Sequence, residues 1–128
     1  TEKAEERIPA APDQRFPHER LDAYQVAREL VAFVARRRGR LRGLPGEAGP
    51  QLERALVSAM LNTAEAAGMQ GVRDRARVFS VARGEACEAA AALDVAILYG
   101  ALSVEQAAPA KALLVRLGQM LTRLARAG

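Results

Sequence analysis

The chain has 128 residues, half of them hydrophobic but only 4% aromatic, with no tryptophan, one cysteine and a net charge of +4. That length suits one domain with a real hydrophobic core, and a core drawn from Ala, Leu and Val suits closely packed helices better than a sheet. One cysteine excludes an internal disulfide and a cysteine-only zinc site, and no uncharged run approaches the roughly 18–20 residues that cross a bilayer.

In chain order, residues 1–15 carry Pro9 and Pro12 among charges and small residues and read as a flexible arm. The arm has no signal-peptide core, so the expectation is a cytoplasmic protein with no membrane partner. Residues 16–128 read as a single domain of four helices. The first spans about 17–38: Pro17 suits a first helical turn, and Leu21, Tyr24, Ala27, Leu30, Val31 and Val34 recur at three-to-four spacing. Glu19 and Asp22 near its start and Arg36, Arg37 and Arg38 near its end match the helix dipole. Gly39 and "GLPGEAGP" (43–50) then interrupt it, in the longest connection of the chain.

The second helix runs over about 50–67 and is closed by Gly68 and Gly71. The third, about 72–99, places Val72, Phe79, Ala82, Ala86, Ala89, Leu93 and Ile97 on one face, with Gly100 as its stop. Cys87 lies in its Ala-rich part, which predicts a small buried thiol. The fourth helix, about 103–126, opens with Ser103 and Gln106 at capping-box spacing. Pro109 falls early enough in it for its missing N–H to matter little, and Leu113, Leu114, Leu117, Leu121 and Leu124 form the apolar stripe. No segment reads as a strand or an internal repeat. The expected fold is all-α, an antiparallel up-down four-helix bundle, in which the alanines of 85–96 allow an unusually close helix approach.

The second helix contains an unusual polar stripe, Gln51, Ser58, Asn62 and Glu65, at spacings that share one side. Carboxylate-bridged metal sites in such bundles use Glu-x-x-His pairs; the one histidine, His18, has Arg15 rather than Glu three residues ahead, so no metal or other cofactor is expected. Ser58 lacks nucleophile-elbow glycines. Glu65 and Glu88 could share acid–base work in an enzyme, but a non-catalytic structural role is the stronger reading. In that role the stripe hydrogen-bonds across helices with Arg54, Arg83 and Glu88 and fixes register and oligomer state. Glu65 is expected to pair with Arg83, because a lone buried carboxylate is costly.

Arginine supplies most of the positive charge. "ARRRGRLRG" holds Arg36, Arg37, Arg38, Arg40 and Arg42 with no acid among them, a run able to follow a phosphate backbone by charge. Arg73, Arg75 and Arg77 open the third helix and Arg116, Arg123 and Arg126 lie on the fourth, so both ends of a bundle would carry positive charge. Solvated helix termini are the plain alternative. No aromatic residue interleaves with the arginines, so backbone contact rather than base stacking is expected.

Three stretches carry a family resemblance. Residues 15–31, "RFPHERLDAYQVARELV", match its first helix; residues 44–68 follow Q-L-x-R-A-x-x-S-x-x-x-N-x-A-E-G; residues 74–94 follow D-x-x-R and, one residue on, F-x-x-A-R-G-S-x-x-E. Ala66 replaces the glycine of the second pattern and Glu85 the serine of the third. The chain thereby resembles the four-helix-bundle family of proteins encoded in 23S rRNA intervening sequences. The accessory variability determinant of diversity-generating retroelements is similar to that same family. The resemblance implies a four-helix protomer in a ring-like homopentamer. It also implies RNA or DNA as a partner, and a reverse transcriptase if the gene lies in a retroelement. The expected function is a non-catalytic, nucleic-acid-binding or protein-binding adaptor, with a scaffold that binds no nucleic acid as the alternative.

Overall fold

A computed structural model describes residues 15–126, and among them every regular element is helical. The helices are α1 (Asp22–Ala35), the single turn α2 (Arg38–Leu41), α3 (Ala48–Gly68), α4 (Val72–Leu98) and α5 (Val104–Arg126), with 3-10 turns at Pro17–Arg20 and Pro45–Glu47. The expected arm, apart from Arg15, lies outside the described residues.

The second, third and fourth predicted helices appear within two residues of their expected bounds. The first is divided. The Phe16 N–H donates to Glu19 Oε1 at 2.9 Å, and this clasp holds Pro17–Arg20 as a separate 3-10 turn. Leu21 is extended (φ −86°, ψ 128°) before α1 begins. At the other end Arg37 leaves helical geometry (φ −117°, ψ 13°), which separates α1 from α2.

The four long helices close a circuit: α1 packs on α3 and α5, and α4 packs on α3 and α5, with the α3–α4 pairing the most extensive. Leucines fill the shared core (Leu30, Leu52, Leu56, Leu93, Leu117 and Leu121 are fully buried), and alanines at 59, 66, 82, 89 and 96 have no exposure at all. Small side chains at these positions are what let α3 and α4 approach closely. Val72, expected on the buried face of α4, is exposed because it sits in the helix's first turn.

Cys87 is exposed, not buried as its Ala-rich surroundings suggested. The buried row of α4 runs through Val78, Ala82, Ala86, Ala89, Leu93 and Ala96, and the position after Ala86 is turned about 100° away.

Two turns are built with atomic economy. Gly100 (φ 76°) ends α4, with its N–H on the Ile97 carbonyl at 3.0 Å and the Ala101 N–H on the Ala96 carbonyl at 2.9 Å. That pair of bonds is the Schellman arrangement that closes a helix C-terminus. Three residues later the Ser103 N–H donates to Gln106 Oε1 at 2.9 Å and the Gln106 N–H to Ser103 Oγ at 3.0 Å. This is the capping box read from the sequence.

Candidate nucleic-acid interface

The arginines of residues 36–42 divide into two kinds. Arg37 is half-buried: its guanidinium stacks 3.7 Å from the Phe33 ring centroid and Nη1 donates to the Phe33 carbonyl at 2.9 Å. It therefore closes the C-terminus of α1, satisfying one of the carbonyls a helix end leaves open. Arg38 Nε lies 3.0 Å from Glu53 Oε2 and ties α2 to α3. Arg36, Arg40 and Arg42 are exposed and form no ion pair with another described residue. Three of the five expected contacts thus remain available to an anion.

The remaining arginines stand elsewhere. Arg73 and Arg77 are exposed and Arg75 half-buried at the start of α4, with Asp74 Oδ1 4.0 Å from Arg77 Nε. Arg116, Arg123 and Arg126 are exposed on α5, and Arg123 borders a cleft of about 420 Å³ with Arg20, Leu21 and Met120. A helix the length of α3 spans about 30 Å, and α3 separates the 36–42 segment from the start of α4. The candidate arginines therefore form two groups, not one surface.

The polar stripe is not a buried network across helices. Arg54, Glu65, Arg83 and Glu88 are all exposed, and Gln51, Ser58 and Asn62 are half-buried. Asn62 Nδ2 donates to Ser58 Oγ and to the Ser58 carbonyl, both at 3.0 Å and both within α3. Gln51 Nε2 reaches back to the Gly46 carbonyl at 3.1 Å.

The expected Glu65–Arg83 pair does not form. Reversing the chain at residues 69–71 sets Glu65 level with about residue 75, so Arg83 lies roughly 12 Å farther along α4. Arg83 instead lines a groove of about 530 Å³ with Cys87, Leu114 and Thr122, on the α5 side of its helix. Glu88 is farther still from Glu65, about 20 Å along the same axis. The polar group that α3 does bury is Thr63, whose Oγ1 donates to the Ala59 carbonyl at 2.7 Å. Its spacing from Leu52, Leu56 and Ala59 was a signal for that placement.

Sequence reasoning placed the α4–α5 turn but missed the apolar side chains it exposes: Leu98 is 81% exposed, Tyr99 68% and Val104 65%. The available signal was a leucine and a tyrosine set directly before the helix-stopping Gly100.

No helix among the described residues is long and apolar enough to cross a membrane. No curated protein matches the chain. The family described as 23S rRNA-intervening sequence protein matches residues 19–123, reaching from the first 3-10 turn into the last turn of α5, and the chain belongs to that family.

Proposed function

We propose that the protein is a non-catalytic, homo-oligomeric helical adaptor that holds nucleic acid by its phosphates at residues 36–42. The observation that carries this reading is the set Arg36, Arg40 and Arg42, exposed and without an acidic partner among the described residues. Guanidinium forks suit phosphate oxygens, and contacts of this kind position a partner without reading its bases. Exposure of Glu65 and Glu88, about 20 Å apart along the bundle, favours the adaptor over an enzyme built on that carboxylate pair.

The protomer in this reading is an antiparallel up-down bundle, supported by the short breaks between α3 and α4 and between α4 and α5, which leave only room to reverse direction. The oligomer is a ring, pentameric by the family resemblance. Its contact surface is the outer side of α3, where Leu61 is 62% exposed and Val57 is exposed beside the Ser58–Asn62 pair.

The test is binding of a structured RNA hairpin, followed by fluorescence anisotropy across a salt series. Replacing Arg36, Arg40 and Arg42 together by alanine lowers the slope of log affinity against log salt by about one for each arginine that meets a phosphate. Absence of affinity in the unaltered protein at low salt sinks nucleic-acid binding and leaves the scaffold reading, which the same exposed apolar residues would serve.

A further inference from the structure

We infer that Tyr99 is a base-stacking platform at the same end as the phosphate-binding arginines, so that this end of the molecule takes single-stranded nucleic acid in preference to duplex. The inference rests on the proposed function and adds what that surface selects.

The placement follows from helix lengths. α3 has 21 residues and α4 has 27, about 31 and 40 Å at 1.5 Å per residue. Since α4 starts immediately after α3 and reverses along it, its last residues return to the level of Ala48 and pass it by about 9 Å. That is the end where residues 36–47 lie. Leu41 and Leu102 are buried in the core, and Leu44 and Ala101 pack against it. Two segments some sixty residues apart therefore share one end of the bundle, one carrying Arg36, Arg40 and Arg42 and the other an exposed tyrosine ring.

Tyr99 is also held ready. It is the last residue before Gly100 in the Schellman closure, and the capping box of Ser103 and Gln106 fixes the far side of the turn. An exposed aromatic on the same end as exposed guanidinium groups is the composition of a single-strand groove, where arginines follow the backbone and a ring receives a base. Duplex bases are already stacked and offer no free face.

The charge decides against a second copy, whose docking through the same end would set like arginines against each other, and the vesicle arm of the experiment separates an anionic membrane from oligouridine.

The experiment compares a fluorescein-labelled 20-nucleotide oligouridine (length on the order of a few OB-fold site sizes) with a duplex of equal length. Tyr99→Ala is expected to weaken oligouridine binding roughly tenfold, as loss of one stacked base does, with duplex binding and the salt slope unchanged; Tyr99→Trp restores the affinity. In Tyr24→Phe, Tyr99 is the remaining tyrosine and no tryptophan masks it, so its emission should be quenched by oligouridine. Equal oligouridine affinity for Tyr99→Ala and the unaltered protein, with binding still lost in the triple arginine variant, overturns the stacking role and leaves the proposed function standing. Loss of oligomer mass in Tyr99→Ala, or binding to phosphatidylserine vesicles without oligouridine binding, also overturns it. Failure of the unaltered protein to bind either oligonucleotide at low salt removes both readings.

Discussion

At Gly49 an added methyl would stand 2.1 Å from the Leu41 carbonyl oxygen, a backbone atom that cannot swing aside. The absent side chain is what lets α2 lie on the start of α3, and Arg38 and Glu53 close the contact at 3.0 Å. Gly49→Ala is expected to cost about 2 kcal/mol, the usual range for overpacking, despite alanine's better helix propensity. Gly84, with nothing within 4 Å of its would-be methyl, is the control: Gly84→Ala should stabilise by about 0.5–1 kcal/mol. Urea unfolding of the two variants reads both signs. Residue identity alone did not mark Gly49, because seven of the chain's ten glycines could equally be turn or linker positions until Leu41 was placed against one of them.

At the scale of elements, starts and stops were the most legible feature. Ser103, Gln106 and Gly100 act through bonds to neighbours three to five residues away, so their chemistry is written locally. Ser103→Ala should cost about 1 kcal/mol, the usual effect of losing an N-cap, measurable as a fall in thermal midpoint. The first helix was misread because Glu19 clasps Phe16 and Leu21 turns extended, a break that an uninterrupted three-to-four spacing conceals. The polar stripe of α3 was misplaced for a related reason. Apolar residues occur on every side of that helix, Leu61 and Val57 included, so periodicity did not separate the buried row through Thr63 from the half-exposed row through Asn62.

For the whole molecule, the proposed ring puts its contact surface on the outer side of α3, where Leu61 is 62% exposed. Leu61→Asp should leave the fold's stability within about 0.5 kcal/mol, as surface changes usually do, while reducing the mass seen by light scattering to the 13.7 kDa of one chain. A 13.7 kDa mass for the unaltered protein would remove the ring, whereas an unchanged oligomer in the variant would move its interface to another face.

The amino-acid sequence by itself determined an all-helical chain, the bounds of α3, α4 and α5 to within two residues, the caps at Gly100 and Ser103 and the family, because each rests on spacings within a few residues. Only the tertiary structure decided that Arg37 and Arg38 are engaged while Arg36, Arg40 and Arg42 are available. It likewise turned Cys87 and Glu65 outward and Thr63 inward, and left Tyr99 exposed after the last turn of α4. Those outcomes depend on helix lengths and on which side of each helix meets a neighbour, quantities set by packing between segments far apart in the chain.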